Sequence, residues 1–448
     1  MRIKRIKVKK YKNLIDFDCE FSDSNISAFI GNNGAGKSNI LEVITEVFSV
    51  AKNVANNKPY GIIVFPDISG CEIEYEYNGI EYKLNYDRSD ICIYLNTNKL
   101  TKKEMLQALP EAIMLYYAGE TDRQSKAANV TFDERYNNML KKASNADFPG
   151  FKFLDYYSTD DLSLLLLTVA IYKGEYYKKL LKYLGCVEIS TKISLFLNDP
   201  KEKGKDADTY WNARGFVKSF LDELRKYVVN TQDLGFIYVM NFDDAGAWKK
   251  TSENEANLFA KLKALKNAGY FHMLNITLIR NDGNEFTHDN LSEGEKQLAL
   301  IYLLTSFTEK NKCLYLFDEF DAYLHLNWQR SISKILNDIN VDGHIIFTTH
   351  SPASISKMQR KNVYILKNGK VFQALSDTFN RSLDEIMEEQ MEVSLRPPEY
   401  SELVQEFRNA IIQNRKDIAL AKLDQIKEVV GENDPFFITA NIALERME

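Results

Sequence analysis

One segment near the start of the chain has the spacing of a phosphate-binding loop. It fits the pattern G-x-x-x-x-G-K-[ST] and reads Gly31-Asn32-Asn33-Gly34-Ala35-Gly36-Lys37-Ser38. Glycines let backbone N–H groups wrap a phosphate chain, while the lysine reaches the β- and γ-phosphates and the serine hydroxyl binds Mg²⁺. An apolar run, Ile26 to Ile30, predicts a strand before the loop, and Ser38 to Val50 predicts a helix whose N-terminus favours anions. The sequence therefore predicts a site for a nucleoside triphosphate with Mg²⁺.

A second cluster places two acids directly after an apolar run. Leu314 to Phe317 has the composition of a buried parallel strand, and Asp318 and Glu319 follow it. The carboxyl end of such a strand faces the ligand edge of an α/β sheet. We expect Asp318 to bind Mg²⁺ and Glu319 to act as general base on the attacking water. An acidic turn after a core strand is the alternative.

Two further segments could complete a phosphate site. One reads Leu291-Ser292-Glu293-Gly294-Glu295, and the other is an apolar strand from Ile345 that ends at His350. Ser292 precedes a predicted helix that runs from Glu293 towards Ser306. Its hydroxyl can therefore donate a hydrogen bond to an anion at the N-terminus of this helix. Ser292 with Glu295 is also a capping box, S-x-x-E. His350 could equally be a structural histidine.

The order of these four segments resembles the ATP-binding-cassette class of ATPases, in the branch that contains the SMC proteins. The resemblance implies a head-to-tail dimer that holds ATP between two chains. The signature residues Leu291, Ser292, Gly294 and Glu295 of one chain would then close over the γ-phosphate bound by another. It also implies that His350 contacts this phosphate. Asp321 would be the D-loop aspartate at the dimer seam, or it could cap a helix from Ala322 to Leu336.

The chain departs from the class pattern in three places. Phe320 replaces the usual proline, and Glu293 replaces the first glycine of the signature, as is typical of the SMC-like and OLD-like branch. No Q-loop glutamine is evident, and Glu120 or Gln124 could take that role. Lys10-Tyr11-Lys12-Asn13 lies where the class often places a side chain near the adenine, although basic residues that end an edge strand would give the same pattern.

Composition limits the class of protein. The 448 residues carry a net charge of −6, which argues against nucleic-acid binding along the whole surface. The basic residues between Arg2 and Lys12 are expected on a solvated strand edge. The five cysteines are scattered without a C-x-x-C pair, which argues against a zinc site or disulfides and fits a reducing cytosol. We find no signal peptide and no apolar run that would span a bilayer, so we expect a cytoplasmic protein without a membrane partner.

The expected fold class is α/β, a P-loop ATPase head of the ABC and SMC type. We expect an ATPase lobe at 1–128, an inserted compact helical lobe at 129–265, a second ATPase segment at 266–375 and a helical tail at 376–448. The insert cannot be a long coiled coil, because heptads are not sustained. Asn-Gly pairs predict hairpins at Asn78 and Asn368. Two apolar faces of the tail must either dock on a partner or pack on the chain's own core: Leu403, Phe407 and Ile411, and Leu423, Ile426 and Val430.

No Toprim nuclease follows the ATPase, because the part after His350 is short and has no Asp-x-Asp. The chain thus resembles the OLD-like ATPases without Toprim, and the ATPase component (PtuA type) of Septu antiphage systems, which also occurs with retrons. This implies a slow, regulatory ATPase that controls a separate nuclease of the HNH type. DNA, or a retron RNA–DNA, stays open as a further ligand. The alternative is an SMC-like DNA-repair ATPase that binds DNA ends. A transporter ATPase subunit is disfavoured by the insert and by Glu293.

Overall fold

A computed structural model describes residues 1–57, 67–88, 90–118, 133–201, 206–339, 341–374, 377–378, 383, 386–387, 398–431, 434 and 436–445. The chain divides into two compact units, Met1–Asn380 and Arg381–Glu448. Within the described ranges, no helix combines the length and the apolar character that crossing a membrane requires.

The strands of the first unit form four sheets. In chain order they are β1 Arg2–Tyr11, β2 Leu14–Glu20, β3 Ile26–Ile30, β4 Gly70–Tyr77, β5 Ile80–Asp87, β6 Ile91–Leu95, β7 Asn98–Lys99, β8 Ile113–Tyr117, β9 Leu154–Tyr157, β10 Cys186–Ile189, β11 Ile193–Asn198, β12 Asn230–Asp233, β13 Ile237–Phe242, β14 Phe271–Asn275, β15 Thr277–Arg280, β16 Glu285–Thr287, β17 Leu314–Asp318, β18 His344–Thr349, β19 Val363–Lys367 and β20 Lys370–Gln373.

Helices occur in both units. Those of the first unit are α1 Lys37–Ala55, α2 Lys102–Ala108, α3 Asp133–Lys142, α4 Leu162–Tyr172, α5 Glu175–Leu184, α6 Gly215–Arg225, α7 Glu255–Asn267, α8 Glu293–Phe307, α9 Leu326–Asp338 and α10 Pro352–Ile355. Those of the second unit are α11 Pro398–Ile412, α12 Lys416–Val430 and α13 Phe436–Glu445.

A seven-stranded sheet, in the order β20-β19-β3-β18-β17-β8-β9, brings the predicted site together. β18 pairs in parallel with both β3 and β17, and all three strands are buried along their length. Parallel strands covered on both faces are apolar runs of this kind. The phosphate loop, the two acids and His350 each follow one of these three strands, so they emerge at the same edge. The predicted α/β fold class is confirmed.

A six-stranded antiparallel sheet, β2-β1-β4-β5-β6-β7, supports the phosphate loop from the other side of α1. Apolar residues of α1, including Ile40, Ile44 and Val47, join one core with both sheets. This core fixes the N-terminus of α1 at the end of β3. Both predicted hairpins are confirmed, because the Asn78-Gly79 and Asn368-Gly369 pairs have positive φ angles and close adjacent antiparallel strands.

The interval 129–265, expected to be helical, contains both helices and strands. Besides α3 to α7 it holds β11 to β13, which with β14 make a four-stranded antiparallel sheet in the order β12-β13-β11-β14. Along β11 the side chains of Ile193, Leu195 and Leu197 are buried in strict alternation, which is the period of a strand. The interval belongs to the first unit rather than to a separate one, and α4 packs against α7 and α8.

The tail forms its own small core. Phe407 and Ile426 are buried, and Leu403, Ile411, Leu423 and Val430 pack against the same cluster. Both apolar faces predicted from the sequence are therefore largely covered within the second unit, which was one of the two alternatives. A single amphipathic helix is only marginally stable in water, so three short helices gain most of their stability from this mutual packing.

Candidate functional site

The phosphate loop adopts the backbone that its glycines permit. Gly31, Gly34 and Gly36 have φ angles of 150°, 77° and 111°. A β-carbon at Gly36 would lie 2.8 Å from Oδ1 of Asn13, so glycine is required there by conformation and by space. α1 begins at the next residue, Lys37. The loop thus leads into a helix N-terminus, which is an anion-binding arrangement.

Lys37 is held inside this loop. Its ammonium donates to the carbonyl oxygens of Gly31 at 2.8 Å and Asn32 at 3.3 Å, and to Nε2 of His350 at 2.7 Å. The residue is 5% exposed. Burial lowers the pKa of Lys37 to about 8, although the carboxylates of Glu319 and Asp318 act in the opposite direction. A buried ammonium near its pKa gains strongly from a neighbouring anion, so the loop is suited to a triphosphate.

Ser38 and Asp318 meet at the start of α1. The Ser38 hydroxyl donates to Oδ1 of Asp318 at 3.1 Å, and the Thr348 hydroxyl donates to the same oxygen. Burial raises the pKa of Asp318 to about 6, against the effect of these two hydrogen bonds. A hydroxyl and a carboxylate are oxygen ligands that Mg²⁺ accepts beside a nucleotide. The pair fits Mg²⁺, which would neutralise phosphate charge there.

Glu319 stands at the mouth of the site in an uncommon conformation. Its φ angle is 47°, a left-handed value that costs about 1–3 kcal/mol in a residue other than glycine. Its N–H donates to the Thr348 hydroxyl at 2.9 Å, which helps to hold this turn. Glu319 Oε1 lies 3.7 Å from Nε2 of His350, and both side chains are 36% exposed. The carboxylate is therefore partly exposed and lies beside His350 at the edge of the sheet.

His350 links the lysine and the glutamate. Burial and the ammonium of Lys37 lower its pKa, against the effect of Glu319. A neutral imidazole can accept the hydrogen bond from Lys37 through Nε2. The structure thus brings His350 to the predicted site, where its ring contacts the ammonium of Lys37.

Asp321 is buried in this chain. It is 3% exposed, and its carboxylate accepts hydrogen bonds from the hydroxyls of Thr349 and Ser354. Burial raises its pKa. The prediction that it caps the following helix is wrong, because α9 begins at Leu326 with His325 as its N-cap. Asp321 instead fixes the segment after β17 to the end of β18.

The signature segment faces outward. Ser292 caps α8 and forms the predicted capping box: its hydroxyl accepts from the Glu295 N–H at 3.3 Å, and Glu295 accepts from the Ser292 N–H at 2.8 Å. Ser292 and Glu293 are exposed, whereas Leu291 is buried. A β-carbon on Gly294 would lie 2.9 Å from the carbonyl oxygen of Tyr323, so this glycine also packs within the chain. The predicted helix from Glu293 is confirmed as α8.

Sequence reasoning missed the side chains that support the loop. Asn13 donates to the Gly34 carbonyl at 2.7 Å and accepts from Asn39 at 2.7 Å. Tyr11 is buried and donates to Glu42 at 3.1 Å, so its ring faces α1. Thr348 joins both acids to β18. Two threonines at the end of an apolar strand, immediately before His350, were a signal that could have indicated this role.

Three further predictions concern the Q-loop glutamine, the basic strand β1 and the cysteines. Glu120 and Gln124, the two Q-loop candidates, lie outside the described residues. β1 lies between β2 and β4, so the expectation of a strand edge is wrong. Four of its six basic side chains are paired with carboxylates: Arg2 with Glu76 at 3.1 Å, Arg5 with Asp18 at 2.6 Å, Lys7 with Glu72 at 3.7 Å and Lys4 with Glu81. All five cysteines are free and buried.

The chain is similar to two retron ATPases over most of its length and to RecF proteins over a shorter part. The chain is 23% identical to "Retron Ec83 probable ATPase" of Escherichia coli, over 93% of this chain and 81% of that protein. It is 24% identical to "Retron Vc95 probable ATPase" of Vibrio cholerae serotype O1 biovar El Tor, over 94% and 86% respectively. A DNA replication and repair protein RecF of Bacillus cytotoxicus is 29% identical, over 27% of this chain and 30% of that protein.

Solved structures of similar fold include the SMC head domain from Thermotoga maritima, at 15% identity and a TM-score of 0.37, which covers 83% of this chain and 98% of that one. The sequence profile described as the RecF/RecN/SMC N-terminal domain matches residues 2–372. This match extends from β1 through the phosphate loop, the signature segment and β18 to β20. The chain therefore belongs to the RecF/RecN/SMC N-terminal domain family.

Proposed function

We propose that this chain binds and hydrolyses ATP as the regulatory subunit of a bacterial antiphage defence system, and that it controls a separate nuclease. The observation that carries the ATPase part is the meeting of Lys37, Asp318, Glu319 and His350 at one sheet edge. Lys37 supplies charge for the β- and γ-phosphates, and Glu319 is placed to take a proton from water. Slow turnover belongs to this proposal, since a regulatory subunit can act through ATP binding as well as through hydrolysis.

The site is proposed to be shared between two chains. Ser292 and Glu293 are exposed at the N-terminus of α8, where backbone N–H groups and a hydroxyl can meet a phosphate. In a head-to-tail dimer, Ser292 and Gly294 of one chain would cover the γ-phosphate held by Lys37 of its partner. A two-fold arrangement then contains two composite sites.

Subunit mixing tests this arrangement. Lys37→Ala and Ser292→Arg chains are each expected to be inactive as homodimers. Random mixing should restore about a quarter of wild-type hydrolysis, because half of the dimers are mixed and each carries one intact site of two. The matched control mixes Lys37→Ala with Glu319→Gln, whose defects lie on the same side of the interface, and should restore nothing. Mixed dimers that assemble but stay inactive would exclude the shared site.

The proposed defence role is supported by similarity to the two retron ATPases, which align over 93% and 94% of this chain. The finer assignment, to the Septu type with an HNH nuclease partner, rests on the resemblance of the motifs to the ATPase component of those systems. The rival function, direct binding of DNA ends, is disfavoured by the net charge of −6 and because four of the six basic residues of β1 are paired with carboxylates.

We propose that the nuclease docks on the outer face of α13. Ile438 and Ile442 lie four residues apart on one helix face and are 68% and 46% exposed. Contiguous exposed apolar patches mark contact surfaces, and we take this pair as the centre of such a patch. Ile438→Asp with Ile442→Asp should abolish co-purification with the nuclease encoded beside this chain, while ATP hydrolysis persists. Asn441→Asp, on the same helix, is the matched control and should leave co-purification intact.

Two outcomes would contradict this proposal. Co-purification that survives the double substitution would place the partner elsewhere on the chain. DNA cleavage by the purified chain alone, abolished by a substitution within it, would exclude a separate nuclease. Salt-sensitive binding of DNA ends without any partner would favour the rival repair function.

A further inference from the structure

A pocket of about 580 Å³ lies in the inserted region, away from the residues of the phosphate loop. Its wall is built from α3, the loop before α6 and the segment that follows α7. Small-molecule sites usually have volumes of roughly 300–1,000 Å³. Three of its lining side chains are cations, Lys141, Lys201 and Arg214, and no carboxylate lines it among the residues that the structure describes. The pocket therefore has the size and the charge to hold an anion.

These three cations have no carboxylate partner within 4.0 Å among the residues that the structure describes. Other lysines of the same region are paired: Lys218 with Asp222 at 2.6 Å, and Lys263 with Asp161 at 2.7 Å. Like charges that converge on one cavity repel each other, unless an anion lies between them. This part of the chain thus neutralises some of its lysines internally, whereas the three cations that line the pocket are available to an outside ligand.

The acids near the pocket are engaged elsewhere. Asp199 is buried and accepts from the backbone N–H of Lys201 at 2.8 Å. Asp206 accepts from the amide of Asn212 at 3.2 Å. Each carboxylate stabilises the loop in which it lies, and neither lines the pocket.

The loop that carries Arg214 has an unusual backbone. Tyr210, Trp211 and Asn212 have successive φ angles of 54°, 52° and 59°, which residues with a β-carbon rarely adopt. Tyr210 and Trp211 are 1% and 5% exposed, and the Trp211 indole donates to the Gly235 carbonyl at 3.3 Å. Burial of two aromatic rings holds this conformation. Strained backbone of this kind is characteristic of sites that position side chains for a ligand.

We propose that this pocket binds a nucleotide through its phosphate, at a site separate from the ATP site. Arg214, Lys141 and Lys201 hold the phosphate, since guanidinium and ammonium groups form charge-assisted hydrogen bonds with its oxygens. The ring of Tyr270 packs against the base, and the amide of Asn137 is available to the base edge or the sugar. Both side chains line the same pocket as the cations.

Calorimetric titration of the full-length Lys37→Ala chain tests the proposal, because that background weakens the competing phosphate loop. The probes are the four nucleoside 5′-monophosphates, a 5′-phosphorylated trinucleotide and inorganic phosphate. At least one nucleotide should bind saturably and more tightly than inorganic phosphate. Arg214→Gln should weaken that binding at least tenfold, and Lys141→Gln by several-fold. Lys142→Gln, an exposed neighbour outside the pocket, should change it less than twofold.

Comparing the nucleoside monophosphates with the 5′-phosphorylated trinucleotide shows whether the bound phosphate belongs to a free nucleotide or to the end of a strand. Tighter binding of the trinucleotide points to the end of a strand, and equal or weaker binding points to a free nucleotide, and both results support the site. Three results would overturn it: no saturable binding of any probe at millimolar concentration, inorganic phosphate binding as tightly as every nucleotide, or binding unaffected by Arg214→Gln. Circular dichroism of each variant shows whether the fold is retained.

Discussion

The phosphate-loop edge and the signature segment differ in how much of their chemistry lies within one chain. At the edge, Lys37 and Asp318 are buried, hydrogen-bonded across distant strands and shifted in pKa. In the signature segment, Ser292 and Glu293 are exposed, and Ser292 makes its described side-chain hydrogen bonds with Glu295 of its own helix turn. The phosphate-loop edge is therefore organised within one chain, whereas the signature segment is exposed at the surface.

The two regions are held in place by different contacts. The edge is ordered by the sheet, because three parallel strands deliver the loop, the acids and His350 to one place. The signature is ordered by a local cap and by one close backbone contact, from Gly294 to Tyr323. Changes at the edge should therefore alter chemistry within a chain. Changes at the exposed signature residues should alter the assembly of two chains, whereas a change at the packed Gly294 should alter the stability of one chain.

The largest effect is expected for Glu319→Gln. The amide keeps the shape of the side chain but cannot take a proton, so ATP hydrolysis should fall by about 10²–10⁴-fold. ATP binding should be retained, because Lys37 and Asp318 are untouched. Steady-state hydrolysis and equilibrium ATP binding measure the two effects. Glu285→Gln, an exposed change on β16, is the control, and hydrolysis by Glu319→Gln at the wild-type rate would disprove the assigned role.

Lys37→Ala should mainly weaken ATP binding. Loss of charge-assisted hydrogen bonds to phosphate costs roughly 1.5–3 kcal/mol, which corresponds to about 10–100-fold in affinity. The variant should remain folded, since the removed group is a buried charge rather than part of the apolar core. Equilibrium dialysis with ATP is the measurement. Unchanged affinity would mean that the loop is not the binding site.

The affinity for ATP should also depend on pH. Lys37 has a folded-state pKa of about 8, so it loses its charge as pH rises through that value. If binding needs the ammonium, affinity should fall about tenfold between pH 7 and pH 9. Lys37→Ala removes the titrating group, so its weaker binding should not vary over this range. An equal loss in both proteins would assign the pH effect to another group.

Gly294→Ala should act through stability. Its β-carbon would lie 2.9 Å from the Tyr323 carbonyl oxygen, so the segment after β17 must shift. Such overpacking costs about 1–3 kcal/mol, visible as a lower midpoint of thermal unfolding. Glu293→Ala, an exposed neighbour, should change stability by about 0.5 kcal/mol or less. Equal midpoints for both variants would show that Gly294 has no packing role within the chain.

Much of the site could be predicted from the sequence because its motifs are local. Lys37 and Ser38 lie in a contiguous loop, and Asp318 and Glu319 lie directly after an apolar strand. The capping box of Ser292 and Glu295 spans one helix turn. The turn residues at Asn78 and Asn368 likewise define their hairpins without help from the rest of the chain.

Other features depend on contacts between residues far apart in the chain. The sequence could not show that Asp321 turns inward to Thr349 and Ser354, since an acid after a strand is usually exposed. It could not place Tyr11 against α1, or show that β11 pairs with β13 and β14 within a region expected to be helical. Short strands are stable only when paired, and their partners come from distant parts of the chain.

Several features of the site follow from the sequence alone: the phosphate loop, the acids Asp318 and Glu319 after an apolar strand, and the cap of the signature helix. Each of these is set by residue type and spacing over a few positions, where backbone geometry is nearly independent of the rest. The pKa values and the contacts of these groups depend instead on the tertiary structure. The pKa of Lys37, the contact between Lys37 and His350 and the strained turn at Glu319 arise from burial at the edge where three strands meet.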